Sequence, residues 1–152
     1  MKRALSYKLC LDVFKIGPWV ASKTDGIWSP NRSAGIAKEK NGEIIAGILY
    51  ENWNKASVTV HFAGDGNWAD RYFLAVIFDY PFNQLGVKMM IAPVCSTNQK
   101  CIDMVKHMGF NKEAELPGAT SKGNLLFFVM NKEDCKYLRG KYSETIQPPA
   151  ST

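Results

Sequence analysis

His61 is the residue of this chain best suited to moving a proton. Histidine titrates near neutral pH, so it can accept a proton from a nucleophile directly or through water. It stands in the run Ser57-Val58-Thr59-Val60-His61-Phe62. Strand alternation there sets Val58, Val60 and Phe62 on one face and Ser57, Thr59 and His61 on the other. The plainer role for His61 is that of a hydrogen-bonded strand histidine. Glu51, on the preceding apolar run, is a second candidate base, and its plainer role is a strand-end charge. Cys101 lies near the start of a helical pattern, where a thiol can be acidified; its plainer role is a small packing residue. Cys10, Cys95, Cys101 and Cys135 show no C-x-x-C spacing, which points to reduced thiols and away from a zinc site.

The elements that must position these groups are legible as patterns. Residues 4–14 alternate Tyr7, Leu9, Leu11 and Val13 with polar partners, which predicts a strand. Pro18 suits a helix's first turn, predicting a short helix over residues 19–23 that Asp25-Gly26 breaks. Residues 33–39 and 43–53 read as two strands around an Asn41-Gly42 hairpin turn. Gly47 within the second suggests a bulge or a close backbone approach. Residues 57–62 form a third strand.

A main helix is expected over residues 68–85, with Phe73, Ile77 and Tyr80 on one face and Pro81 kinking or ending it. Gly86 can take the left-handed turn that closes it. Residues 87–94 predict a buried strand, and Ser96 with Gln99 resembles a capping box opening a helix. Cys101, Ile102, Val105 and Met108 share a helical face, and Gly109 ends that helix. Strands at 111–116 and 125–130, joined by a loop over 117–123, precede a short helix at 132–138. Residues 139–152 read as a mobile tail.

The chain has 152 residues, 46% hydrophobic and 22% charged, which suits one domain with a real core over residues 1–138. No apolar run reaches the ~18 residues of a membrane helix, and polar residues interrupt any signal-peptide core, so a cytoplasmic protein is expected. The net charge of +5 mildly favours acidic partners such as a phosphorylated cofactor, an acidic protein or nucleic acid. The lysines are scattered, as on an ordinary solvated surface. Only charge and exposed aromatics speak for nucleic acid. Trp19, Trp28, Trp53 and Trp68 are available to line an acceptor pocket or simply to pack.

The stretch Asp79-Tyr80-Pro81-Phe82, Leu85-Gly86, Asn98 with Cys101, Gly109-Phe110 and Glu113 resembles the GNAT N-acetyltransferases in order and spacing. It is most similar to the branch that acetylates protein N-termini. With Gly17-Pro18-Trp19-Val20 and Gly47, the whole chain resembles short GNAT-like proteins of phages and prophages. The resemblance implies an α/β fold with a mixed, mostly antiparallel sheet of about six or seven strands flanked by helices. It implies acetyl-CoA as co-substrate, entering between the strands at 57–62 and 88–94, and a primary amine as acceptor, on a small molecule or a protein N-terminus.

The pyrophosphate of such a cofactor sits on a helix N-terminus, behind a Gln/Arg-x-x-Gly-x-Gly/Ala pattern. Here the register is Ala63-Gly64-Asp65-Gly66-Asn67-Trp68. Gly66 fits, whereas Ala63 and Trp68 depart from the pattern and Asp65 adds a negative charge. Arg71 would compensate through a bidentate phosphate contact. The resemblance thus assigns Phe62, Ala63, Gly64, Gly66, Asn67, Trp68, Arg71 and Asn98 to cofactor binding, with Asn98 also able to cap its helix. Val105 stands where many relatives carry a tyrosine acid, leaving water or Cys101 to serve the departing thiolate. A homodimer is compatible with this reading, and a membrane partner is not expected. The rival implication is a catalytically silent GNAT-like protein that binds another macromolecule.

Overall fold

The computed structural model describes residues 5–24 and 26–146. Seven strands form one open sheet in the order β1-β2-β3-β4-β5-β7-β6. They are β1 (Lys8–Cys10), β2 (Ser33–Lys40), β3 (Glu43–Glu51), β4 (Ser57–Gly64), β5 (Met89–Cys95), β6 (Asn111–Leu116) and β7 (Leu125–Asn131). The helices are α1 (Val13–Thr24), α2 (Arg71–Asp79) and α3 (Gln99–Met108). The sheet is mostly antiparallel, and β4 pairs with β5 in parallel over a ladder from Ser57↔Met89 to Thr59↔Ile91. This is the expected α/β architecture. The chain forms two compact units, residues 1–52 with 60–68 and residues 53–59 with 69–152.

In the first unit, Asn41 (φ 53°) and Gly42 (φ 80°) make the tight β2–β3 turn with two consecutive left-handed residues. The register shift falls at Lys38/Glu39 on β2, not at Gly47. Gly47 serves the other expected purpose, close approach, since a Cβ there would meet Val20 Cγ2 at 3.2 Å. Gly35 does the same against Ile16. Helix α1 therefore lies low on the sheet, and Ile16 and Val20 join Ala37, Leu49 and Ala63 in one buried cluster.

That helix corrects the expectation of a strand to residue 14 and a short helix from 19. The strand stops at Cys10, and Asp12 starts the helix by accepting from the Phe14 N–H at 3.0 Å. An Asx-type start outweighs the apolar alternation there. Asp25, expected to break the helix, lies outside the described residues.

In the second unit, helix α2 begins at Arg71 rather than Trp68, because Asp70 caps it, accepting from Phe73 N at 2.9 Å. Pro81 ends the regular helix as expected. Residues Tyr80–Gln84 widen into a π turn in which Leu85 N donates to Tyr80 O at 2.9 Å. Gly86 (φ 73°) and Gly109 (φ 109°) take the left-handed positions after α2 and α3. The core of this unit is aromatic. Phe78 stacks on Tyr137 at 4.5 Å between centroids, and Phe82 and Phe128 are fully buried.

Residues 132–138 form two short 3-10 turns, Lys132–Asp134 and Lys136–Leu138, in place of one helix. Within the expected tail, Tyr142 packs edge-on against Tyr137, and residues 147–152 lie outside the described residues. Among the described residues, no helix is long and apolar enough to cross a membrane.

Candidate active site

Strands β3 and β4 bring His61 and Glu51 together. His61 Nε2 lies 2.9 Å from Glu51 Oε1, with their side chains 27% and 19% exposed. The two share the sheet face that α1 covers: Leu49 and Ala63 lie in the α1 cluster, and Glu51, two residues after Leu49, and His61, two before Ala63, have the same strand parity. Glu51 pairs in register with Ser33. The carboxylate–imidazole pair thus sits where buried sheet gives way to solvent, shielded enough to strengthen a hydrogen bond and open enough to receive a substrate.

The turn after β4 is built differently from an open phosphate cradle. Phe62, Ala63 and Trp68 are buried, while Gly66 (φ 66°) and Asn67 form its tip. The Trp68 indole lies against Gly64, where a Cβ would stand 2.5 Å from Trp68 Cδ1. Lys38 fixes this arrangement from β2. Its ammonium is buried, donates to Trp68 O at 2.5 Å, and lies 4.2 Å from the centroid of the Tyr7 ring. Asp65 faces Lys23 at 3.7 Å. Lys38 was not singled out from the sequence; the signal was an ammonium at an interior position of an apolar strand.

In the second unit, Arg71 is exposed at the start of α2, and its side chain makes no hydrogen bond or ion pair among the described residues. Asn98 caps α3, its side-chain oxygen accepting from Cys101 N at 3.1 Å. The expected capping box does not form. Ser96 Oγ instead accepts from Asn124 N at 2.9 Å, and Gln99 donates to Asp103. Of the two roles the sequence leaves open for Cys101, its surroundings suit packing rather than an acidified thiol: burial pushes it up to about 11. The lowered thiol is Cys95, at the end of β5. Thr120 and Thr97 lie 3.2 and 3.1 Å from its sulfur, and their hydrogen bonds hold the thiolate below the usual range.

The tryptophans mostly pack. Trp19 and Trp28 lean on the α1 cluster, Trp68 is buried, and Trp53 is 40% exposed. A Cβ at Gly17 would collide with the Trp28 ring, whose buried Nε1–H has no partner among the described residues.

With this geometry in view, comparison with known proteins gives the family. No curated protein sequence matches the chain. Among solved structures, the dodecameric spermidine N-acetyltransferase from Vibrio cholerae is 14% identical, with a TM-score of 0.67 over 88% of this chain and 97% of that one. The spermidine/spermine N-acetyltransferase SpeG of the same organism, solved with manganese, is 13% identical, with a TM-score of 0.62 over 83% and 92%. At such identities the likeness is one of fold. The family model described as an acetyltransferase (GNAT) domain matches residues 32–130, a span that runs from the start of β2 to the end of β7. The chain belongs to the GNAT acetyltransferase family.

Proposed function

We propose that the protein transfers the acetyl group of acetyl-CoA to a primary amine by direct attack, with His61 as base and Glu51 as the residue that orients it. The observation that carries this reading is the 2.9 Å contact between His61 Nε2 and Glu51 Oε1. In neutral histidine the nitrogen facing a carboxylate carries the proton, so Nδ1 holds the free lone pair. The carboxylate fixes that tautomer and supports the imidazolium once it forms. The incoming amine gives its proton to Nδ1 as its nitrogen bonds to the acyl carbon. The carbon–sulfur bond then breaks, and the departing thiolate takes a proton relayed through water from the His61 imidazolium, which restores the base. Cys101, with its thiol pushed up to about 11, keeps its proton through neutral pH. The thioester supplies the activated acyl carbon.

The chain's remaining residues fit the co-substrate in part. Strand β4 runs on to Gly64 past its last ladder pair with β5 at Thr59, so its later backbone groups suit an extended amide-bearing arm. Arg71 offers a cation to phosphate, and Asn98 keeps its amide N–H groups after capping α3 with its oxygen. The turn itself offers mainly backbone. Ala63 and Trp68 are buried apolar groups, and Asp65 and Asp70 are acidic. Binding in the tens to hundreds of micromolar, ~5–6 kcal/mol, is therefore expected. Calorimetry with acetyl-CoA and with CoA tests this, and neither heat nor thermal shift at millimolar ligand would remove the enzyme reading. Arg71→Ala should weaken CoA by ~1.5–3 kcal/mol, the range for a hydrogen bond to a charged group. Equal affinity in the variant would give Arg71 another part.

A second reading, a silent GNAT-like binding protein, draws on the same turn, because Trp68 packed on Gly64 and the acid at Asp65 are poor phosphate partners. It predicts no acetylated product from spermidine or from any of a panel of peptide N-termini. The dodecameric relative makes a second copy of this chain the first protein partner to test, by light scattering.

A further inference from the structure

We propose that the second unit carries a separate binding site for a small organic anion, in the pocket formed by Lys88, Lys132 and Arg139 over Met89, Cys135 and Leu138. The pocket has a volume of about 750 Å³, within the range of small-molecule sites. It opens at the entry end of β5 and the exit of β7, where Met89 pairs with Asn131. Asn98 follows the other end of β5. At ~3.3 Å per residue the two lie about 20 Å apart along the strand. The pocket is therefore distinct from the helix start that carries Asn98, and the proposal does not depend on the acetyl-transfer reading.

Charge defines the occupant. Three cationic side chains line the pocket and Glu133 is its single acid. Backbone geometry brings the first two cations together, because Lys132 N donates to Lys88 O at 2.9 Å. Neither Lys88 nor Lys132 forms an ion pair among the described residues. Arg139 is tethered over the same pocket by its guanidinium, which donates to Glu133 O at 3.3 Å and leaves further N–H groups for a ligand. Like charges that line one pocket repel, and an anion among them relieves that repulsion.

The floor is apolar. Cys135 is buried, and Met89 and Leu138 are half-buried. The side-chain amides of Asn83 and Asn131 complete the lining. Cations at the rim and apolar side chains below suit a phosphate or carboxylate carried on a compact apolar body; Asn83 Nδ2 already donates to Asp79 Oδ1 at 2.8 Å, which leaves its second N–H and the Asn131 amide for such a ligand.

Phenyl phosphate is the probe, followed by backbone amide NMR of the full chain. The expected result is saturable shifts at Lys88, Met89, Asn131 and Lys132, none with the neutral analogue phenol, and weaker binding of inorganic phosphate, which cannot use the floor. The double substitution Lys88→Gln/Lys132→Gln should weaken phenyl phosphate at least tenfold, as should Arg139→Gln, read separately in case the double variant folds poorly. Lys136→Gln, outside the pocket, should leave it unchanged. Unaltered affinity in the pocket variants, or shifts confined to residues 63–71 and Asn98, would overturn the proposal. Sedimentation with phosphatidylglycerol vesicles that the same substitutions abolish would make a lipid headgroup the occupant and overturn its small-molecule form.

Discussion

Cys95 and Cys101 flank one helix start, and their surroundings drive them in opposite directions. Hydrogen bonds from Thr120 and Thr97 lower the first, and burial raises the second to about 11. At neutral pH the thiolate fraction, and with it alkylation, should be greatest at Cys95 and least at Cys101 and Cys135. Mass spectrometry after limited iodoacetamide treatment checks this order. Thr120→Val, which removes the hydroxyl, should slow labelling of Cys95 alone; faster labelling of Cys101 than of Cys95 would contradict the assignment. The packing role open to Cys101 in the sequence fits its burial, whereas the lowering of Cys95 was not legible, because Thr120 reaches it from a loop distant in the chain. The same limit applies to His61 and Glu51. Each was legible alone as a titratable strand residue, but their contact depends on how β3 and β4 align. Lys38 escaped notice because its partner, the Trp68 carbonyl, lies thirty residues on.

At the level of elements, local capping chemistry decided where the sequence reading went astray. Asp12, Asp70 and Asn98 each start a helix; the first two displaced boundaries drawn from apolar periodicity, whereas Asn98 caps α3 in the role the sequence left open to it. Asp70→Ala should cost about 1 kcal/mol of stability by removing the acceptor for the Phe73 N–H. Urea unfolding measures it, and an unchanged midpoint would deny the cap its role. Pro81 and Gly86 were read correctly because their backbone restrictions act without any tertiary partner. Gly17 shows the converse. Its need for a bare Cα comes from the Trp28 ring, which no local pattern announces, and Gly17→Ala should destabilise through that clash.

For the molecule as a whole, the mixed, mostly antiparallel sheet was legible through the family resemblance together with strand alternation and turn chemistry, whereas the order β1-β2-β3-β4-β5-β7-β6 was not read from the sequence. The 3-10 turns near the C-terminus were not, since their stability rests on aromatic contacts such as Phe78 on Tyr137. Those contacts carry a pH signature. Burial raises Cys135 from 9.0 to about 11 and Tyr137 from 10.0 to about 12. A group held protonated by the fold contributes stability that is full below its unfolded value and is lost as pH rises through the folded one. Between pH 9.0 and about 11 the unfolded chain sheds the Cys135 proton that the folded chain keeps. Stability should therefore fall with a slope of at most ~1.4 kcal/mol per pH unit from this group, with Tyr137 acting in the same direction at higher pH. Cys135→Ala should flatten the slope in urea unfolding, and a slope unchanged by that substitution would place the loss elsewhere.

The most direct measurement for the proposed chemistry is the acetylation rate of wild type and His61→Gln at saturating acetyl-CoA, with spermidine and peptide N-termini as acceptors and CoA affinity measured alongside. Glutamine keeps a polar side chain of similar reach but cannot take the proton. The rate should fall ~10²-fold or more, as loss of a general base typically does, with CoA affinity within a factor of a few. Glu51→Gln should fall less, since it disturbs only the tautomer and the support of the imidazolium. A His61→Gln variant that acetylates at the wild-type rate would contradict the role assigned to the His61–Glu51 pair.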